Sequence, residues 1–290
     1  MRKIAIITDS NSGITQEQAA SLDIQVVPMP FSINGTTYFE DITLDHETFY
    51  QLLSSNTAVC TSQPSIGDLM GLWEKTLNYS DEIVYIPMSS GLSGSCQTAR
   101  SFAGEYHGRV QVVDNQRISV TQRQSVLDAI AYRDQCKSAA QIRFLLEECK
   151  FDSSIYIMVD DLKYLRKGGR ITQAAATFAE ILNLKPVLTI QGEKLDAFSK
   201  ARGIRQARSI MIQAIAEDIK TRFHGEDSPS PTVYLEIAHT NNEKAANEFA
   251  LEVASAFPGY DIHIDPLSLS VACHIGPGSL ALACSKIQIQ

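Results

Sequence analysis

The sequence lacks several features that would place it in a familiar functional class. Its 290 residues contain no run of the roughly 20 apolar residues that a membrane-spanning helix needs. The first apolar run, Ile4–Ile7, is short and soon reaches Asp9, so a signal peptide is not expected. A G-x-G-x-x-G fingerprint and a Walker A lysine are both missing, which argues against a dinucleotide site and a P-loop. The composition, 44% hydrophobic and 20% charged, is that of an ordinary soluble globular protein.

Cysteines and histidines at metal-ligand spacing are missing as well. None of the six cysteines forms a C-x-x-C pair and several lie among apolar residues, which favours reduced, buried thiols in a cytoplasmic protein. The histidines show no ligand spacing, so we expect no metal. We expect no cofactor either. A net charge of -8 argues against nucleic acid as a partner.

Short β-branched runs alternate with amphipathic stretches, which predicts an α/β fold. We expect two domains, an N-terminal one over residues 1–150 with a buried parallel sheet and a C-terminal α/β one over residues 151–290. A β-hairpin is expected within residues 186–200. The predicted strands are 4–8, 24–31, 83–87, 110–113, 155–159, 187–190, 233–238 and 262–264. The predicted helices are 15–22, 45–53, 65–77, 94–106, 139–149, 171–182, 204–223 and 242–257.

Positive charge is concentrated in one segment of this acidic chain. From Lys163 to Arg208 the sequence carries ten Lys or Arg residues against three Asp or Glu residues. Such a reversal of charge indicates a surface or cleft for an anion or an acidic partner.

Two polar motifs follow predicted strands or precede helices in the N-terminal half. Thr8–Gly13 comes directly after the first strand and is either a ligand contact or a capped turn. Thr61–Ser65 places hydroxyl groups, including those of Thr61 and Ser62, just before a helix, where backbone N–H groups and the helix dipole favour an anion. Ser65 is alternatively a simple helix cap.

A third motif, Ser89–Ser95, lies between a strand and a helix. Its glycines allow close backbone approach, and the hydroxyls of Ser93 and Ser95 with the N–H of Gly94 can hold a carboxylate or phosphate. A plain tight turn and a serine nucleophile are the alternatives, but a G-x-S-x-G elbow would need glycine where Ser95 stands.

The fourth motif, His274–Gly278, places a histidine before a Gly-Pro-Gly turn. A lone histidine among apolar residues is usually structural, yet His274 can also donate a hydrogen bond to an oxyanion.

Together with the segment Val159–Ile190, these motifs resemble the DegV family, in the expected order and over nearly the whole chain. The resemblance implies a soluble fatty-acid-binding protein, not an enzyme, whose ligand lies between two α/β domains, the first with a Rossmann-like parallel sheet. It also implies the role of the B subunit of fatty acid kinase. A separate kinase subunit supplies ATP and phosphorylates the bound acid to an acyl phosphate for phospholipid synthesis, with at most transient membrane contact.

The resemblance assigns roles to particular residues. Thr61 and Ser93 would bind the carboxylate, with His274 as a third donor. Arg170 would lie near the ligand or at the docking surface of the kinase, and Arg202 would lie at that surface too. One departure stands out, because residues 118–124 contain no glycine where the family commonly has a Gly-rich tract.

An apolar stripe at helical spacing is the candidate lining for a fatty-acid tail. It can instead pack only on the sheet of its own domain. Its members are Ile171, Ala174, Ala175, Phe178, Ile181 and Leu182, with Ala176 and Ala179 adding small side chains. Two other functions stay open, namely a Ser93/His274 hydrolase or acyl transferase and a nucleotide or sugar-phosphate binder.

Overall fold

A computed structural model describes residues 2–54, 58–177, 184–225, 228 and 230–289. The chain divides into two compact units, Met1–Phe151 and Asp152–Gln288. Among the residues described, no helix is long and apolar enough to cross a membrane.

The first unit is built on a parallel sheet with strand order β2-β1-β6-β7. Its strands are β1 (Ile4–Asp9), β2 (Gln25–Val27), β6 (Glu82–Ile86) and β7 (Val110–Val112). Neighbouring side chains point to opposite faces of the sheet, and both faces are covered. Ile6 and Val84 belong to one buried apolar cluster, whereas Ile7 and Ile83 belong to another. A fully buried parallel sheet of this kind explains why its strands are almost wholly apolar.

A small antiparallel sheet with strand order β4-β3-β5 accompanies the parallel one. It consists of β3 (Pro30–Ile33), β4 (Thr36–Phe39) and β5 (Val59–Thr61). The sequence predicts one continuous strand over residues 24–31, but β2 and β3 are separate strands in different sheets. Pro28 interrupts the run, and proline removes a backbone N–H that a sheet would use.

The helices of the first unit match the predicted ones except for α5. They are α1 (Gln16–Ser21), α2 (His46–Ser54), α3 (Ile66–Leu77), α4 (Ser95–Ala103), α5 (Ser119–Asp134) and α6 (Ala139–Glu148). Ser65 caps α3, because its hydroxyl accepts the N–H of Asp68 at 3.3 Å. Helix α5 is missing from the sequence-based assignment. Its buried positions include polar residues such as Gln122, Ser125 and Asp128, so it shows no apolar stripe.

The second unit holds one mixed sheet with strand order β10-β9-β8-β13-β11-β12. Its strands are β8 (Ser153–Met158), β9 (Lys185–Ile190), β10 (Asp196–Ala201), β11 (Val233–His239), β12 (Ile262–Pro266) and β13 (Leu280–Lys286). Strands β9 and β10 pair antiparallel, which confirms the predicted hairpin. Strand β13 was not predicted, although it pairs antiparallel with both β8 and β11 and so lies inside the sheet.

Helices of the second unit are α7 (Lys163–Gly168), α8 (Gln173–Ala176), α9 (Ile204–Thr221), α10 (Glu243–Ala256) and α11 (Leu269–Ile275). Side chains of α9 and α10, including Met211 and Phe249, pack with the sheet residues Leu235 and Leu282 in one apolar core. The short helices α7 and α11 were not predicted. Helix α7 ends at the first glycine of a Gly-Gly-Arg motif, Gly168–Arg170, and α11 ends at Ile275, within the His-Ile-Gly-Pro-Gly motif.

Candidate functional site

The loop Ser89–Ser95 is shaped by hydrogen bonds that converge on Ser89. Ser89 is buried, its carbonyl accepts the N–H groups of Leu92 and Ser93, each at 3.1 Å, and its hydroxyl accepts the N–H of Gly91 at 3.2 Å. The loop therefore has one defined backbone path between β6 and α4.

Two serines lie where this loop becomes α4. The hydroxyl of Ser93 accepts the N–H of Ser95 at 3.2 Å, and the exposed Gly94 is the cap residue of the helix. Ser95 is only 4% exposed, and within the described part of the chain its hydroxyl has no hydrogen-bond partner. A hydroxyl buried at a helix N-terminus is suited to donate to an anion.

The motif at residues 61–65 lies beside this helix. Thr61 ends β5 opposite Phe31, and the N–H of the exposed Ser62 donates to the carbonyl of Pro30 at 3.2 Å. The side-chain oxygen of Gln63 accepts the hydroxyl of Thr98 on α4 at 3.1 Å.

Gln63 also approaches the loop itself, because a Cβ built on Gly94 would lie 3.8 Å from the same oxygen. The motifs Thr61–Ser65 and Ser89–Ser95 are therefore joined at the start of α4, although Gln63 and Gly91 are 28 positions apart in the sequence. Sequence reasoning singled out both motifs but missed the contact that joins them, since Gln63 and Thr98 carry no distinctive pattern.

The first motif is satisfied by hydrogen bonds within the protein. Asp9 caps the short 3₁₀ helix Ser10–Ser12 by accepting the N–H of Asn11 at 3.0 Å. The hydroxyl of Ser12 donates to the carbonyl of Asp9 at 2.9 Å, and the hydroxyl of Ser10 accepts the N–H of Met29 at 3.0 Å. Of the two interpretations of this motif, the structure supports the capped turn.

His274 belongs to α11 and lies against α7 within the second unit. A Cβ added to Gly168 would be 2.3 Å from Nδ1 of His274, so glycine is needed there for the imidazole to fit. Burial, reinforced by the positive charge of Arg170, lowers the pKa of His274 to about 4. The imidazole is therefore neutral at pH 7 and carries one N–H donor.

The same two helices meet at a second glycine. A Cβ on Gly276, whose φ is +77°, would lie 2.4 Å from Cδ2 of Tyr164. Gly168 thus makes room for the ring of His274, and Gly276 makes room for the ring of Tyr164, which fixes α11 against α7.

Arg170 is held at the end of α7 by its neighbours. Its guanidinium donates to the carbonyl of Gly168, and its own carbonyl accepts the N–H of Leu195 at 3.2 Å. Arg202 is exposed, and its backbone N–H donates to the side chain of Gln206 at 2.7 Å.

Much of the basic segment is on the surface. Lys163 pairs with Asp161 at 2.9 Å, and the buried Arg208 pairs with Glu252 at 2.9 Å. Its exposed basic side chains are those of Lys163, Arg166, Lys167, Lys194, Lys200, Arg202 and Arg205. A positive surface of this kind agrees with the charge reversal seen in the sequence.

The predicted apolar stripe is described only in part. Ala175 is buried, Ile171 and Ala176 are half-buried and Ala174 is exposed. Phe178, Ala179, Ile181 and Leu182 lie outside the described residues, so the expectation of a tail-lining stripe stays a prediction.

One group with metal-ligand atoms lies elsewhere in the first unit. Ligand-capable atoms of Glu40, Asp41 and His46 lie within 4.8 Å of one another. Nε2 of His46 and Oε1 of Glu40 lie 2.9 Å apart, and their hydrogen bond raises the pKa of His46. The sequence gives no sign of this pair, because it depends on the turn between β4 and α2.

The cysteines divide into two sets. Cys96, Cys273 and Cys284 are buried, as expected, whereas Cys60 and Cys136 are exposed and Cys149 is half-buried. All six are free thiols.

The chain matches the family model described as "Uncharacterised protein, DegV family" over residues 3–286. The protein belongs to the DegV family. A DegV domain-containing protein of Deinococcus radiodurans is 30% identical over 281 residues, which is 97% of each chain.

Two solved DegV structures resemble the chain closely. The DegV family protein of Thermus thermophilus, described as binding fatty acid, superposes with a TM-score of 0.89 at 29% identity and covers 99% of this chain and 100% of its own. DegV of Bacillus subtilis, described as a fatty acid binding protein, gives a TM-score of 0.85 at 27% identity with the same coverage. The DegV fold expected from the motifs is thereby confirmed.

Proposed function

We propose that this DegV protein binds a long-chain fatty acid through its carboxylate. The observation that carries the proposal is the joining of two hydroxyl-bearing loops at the N-terminus of α4, through the hydrogen bond from Thr98 to Gln63. The fatty-acid binding of the Thermus and Bacillus relatives supports it.

Thr61 and Ser93 are the proposed carboxylate donors, with Ser62, Gly94 and Ser95 completing the polar surroundings. The buried hydroxyl of Ser95 supports an anion at this place, since a buried hydroxyl is normally hydrogen-bonded. Charge-assisted hydrogen bonds to a carboxylate are shorter and stronger than neutral ones.

His274 is the proposed third donor, and Arg170 adds positive charge. A neutral imidazole donates through a single N–H, and the contact with Gly168 fixes where the ring lies. Because a carboxylate favours the protonated imidazole, ligand binding at His274 would raise its pKa above the value of about 4.

The acyl tail would supply most of the affinity. Burying about 14 methylenes contributes roughly 11 kcal/mol at about 0.8 kcal/mol each, against binding costs of at least about 4 kcal/mol. The polar groups would then set the orientation of the acid and present its carboxylate.

We propose further that the protein is a non-catalytic, cytoplasmic carrier that presents the acid to a separate kinase subunit. That subunit supplies ATP and forms the acyl phosphate, while Arg170 and Arg202 contribute to its docking surface. The exposed positive charge of the basic segment supports an acidic partner surface.

Single hydroxyl deletions test this division between tail and head group. Ser93→Ala and Thr61→Ala should lower acyl-phosphate formation by the kinase-coupled protein more than they lower fatty-acid affinity. Ser101→Ala is the matched control, because Ser101 is exposed on the same helix α4 and donates to the carbonyl of Gln97. Equal losses of affinity and of acyl phosphate in the Ser93 and Thr61 variants would contradict the proposal.

A further inference from the structure

Asp9 has a carboxylate that is completely buried yet accepts hydrogen bonds from the backbone N–H groups of Asn11 and Met88 and from the side chains of Gln122 and Asn11. Its Oδ1 accepts the backbone N–H of Asn11 at 3.0 Å and Nε2 of Gln122 at 3.1 Å, and its Oδ2 accepts the N–H of Met88 at 2.8 Å. Burial raises the pKa of Asp9, while the bonds from Met88, Gln122 and Asn11 work in the opposite direction.

The bond to Met88 fixes the entrance of the loop that carries Ser93. Met88 directly precedes Ser89, and its sulfur accepts the side-chain amide of Asn11 at 3.0 Å. Asp9 therefore binds the backbone of Met88 and Asn11 binds its side chain, at the residue where the loop begins.

Gln122 holds the carboxylate in turn. Its Nε2 lies 3.2 Å from the hydroxyl of Thr8 and 3.2 Å from the carbonyl of Ile86, besides its contact with Asp9. Those acceptors stand at the carboxyl ends of β1 and β6. Gln122 is 0% exposed, so this amide is a fixed link between the two strand ends.

We infer that Asp9 and Gln122 are positioning residues for carboxylate recognition by Ser93. They set the backbone at Met88, and through it the path of Ser89–Ser95, without touching the ligand. This inference rests on the proposed function. It gives a role to the first motif and to the glycine-free segment 118–124, which the carboxylate-binding residues alone leave unexplained.

An isosteric change at Asp9 isolates the bond to Met88. An asparagine has one acceptor oxygen instead of two, and we expect it to face the donors of Asn11 and Gln122 at the position of Oδ1. Its amide nitrogen will then oppose the N–H of Met88, and that bond is lost.

The experiment compares affinities for a long-chain fatty acid and for the fatty alcohol of the same length. The ratio of the two dissociation constants reports recognition of the carboxylate, whereas tail binding cancels out. Asp9→Asn should reduce the preference for the acid about tenfold, which is the effect expected when a displaced Ser93 no longer makes its charge-assisted hydrogen bond to the carboxylate. The affinity for the alcohol should stay nearly unchanged. Gln122→Met, of similar volume, should reduce the ratio in the same direction and serves if Asp9→Asn fails to fold.

Asp128→Asn is the matched control. Asp128 is also a buried carboxyl group with a raised pKa, and it accepts Nε2 of Gln124 at 2.9 Å, away from the Met88 bond. This variant should keep the acid preference of the wild-type protein. A purely structural role for Asp9 predicts instead that Asp9→Asn changes stability but not the ratio, or that Asp128→Asn lowers the ratio equally. Either result overturns the inference, whereas a wild-type protein that binds neither lipid overturns the proposed function itself.

Discussion

Gly168 and His274 are in such close contact that any Cβ at position 168 would lie 2.3 Å from the imidazole Nδ1. The backbone conformation at position 168 does not require glycine, because its φ is not in the left-handed region. Glycine is required there because the imidazole of His274 leaves no room for a Cβ. The Gly-Gly-Arg and His-Ile-Gly-Pro-Gly motifs are therefore one structural unit.

Gly168→Ala should lower the free energy of unfolding by roughly 1–3 kcal/mol, as overpacking does. The loss should shrink in the double variant Gly168→Ala/His274→Ala, because the clash is removed, and a double-mutant cycle by chemical denaturation measures this. Gly71→Ala in α3 is the control, since a Cβ there meets nothing within 4 Å. That change should stabilise the protein by up to about 1 kcal/mol. Additive effects at positions 168 and 274 would contradict the contact.

Acid should destabilise the protein through His274. The pKa of this histidine is lowered from 6.5 to about 4, chiefly by burial. Between these values the unfolded chain binds a proton that the native imidazole does not, so the free energy of unfolding falls as the pH is lowered from 6.5 towards 4. His274→Gln should show a smaller stability difference between pH 7 and pH 5 than the wild-type protein. An unchanged difference would mean that the imidazole titrates normally in the folded state.

Thiol reagents should distinguish two classes of cysteine in the native protein. Cys60 and Cys136 are exposed and should react quickly, whereas burial raises the pKa of Cys96 to about 12 and that of Cys284 further, which removes the reactive thiolate. Mass spectrometry after brief labelling will locate the modified residues. Fast labelling of Cys96 or Cys284 before unfolding would show that their surroundings are open to solvent.

Reversing charge on the basic segment should impair coupling to the kinase. Arg202→Glu is the cleaner change because Arg202 is exposed, and Arg170→Glu should act in the same direction. Acyl-phosphate formation should fall in both, and more at low ionic strength, where charge steers association. Lys244→Glu makes the same charge change on the exposed surface of α10 and should leave turnover intact. Unchanged turnover in both arginine variants would exclude them from the docking surface.

Periodicity predicted the elements whose burial is apolar and regular. The parallel strands β1, β6 and β7 and the helices α3, α9 and α10 belong to this group, because each has one clear pattern of buried positions. Helix α5 was not predicted from periodicity because many of its buried residues are polar and form hydrogen bonds, such as the one from Gln122 to Asp9. Strand β13 was missed because its sequence, Leu-Ala-Leu-Ala-Cys-Ser-Lys, has no β-branched residue and alanine is uncommon in strands.

The short motifs, rather than the predicted helices and strands, selected the loops of the candidate site. Thr61–Ser65 and Ser89–Ser95 could each be recognised from consecutive residues. The hydrogen bond between Gln63 and Thr98 that joins them is a tertiary contact, and neither residue belongs to a pattern that predicts it. The lowered pKa of His274 could not be predicted from the sequence either, because it depends on burial and on the charge of Arg170 rather than on sequence neighbours.

The most direct test of fatty-acid binding is native mass spectrometry of the protein before and after incubation with excess long-chain fatty acid, followed by extraction and identification of the bound lipid. The protein should form a complex with a single fatty acid, either during expression or upon incubation, and Ser93→Ala should show a weaker preference for the acid than Ser101→Ala. A protein that stays free of fatty acid under both conditions, or that is stabilised by nucleotides and not by fatty acids in a thermal-shift assay, would contradict it.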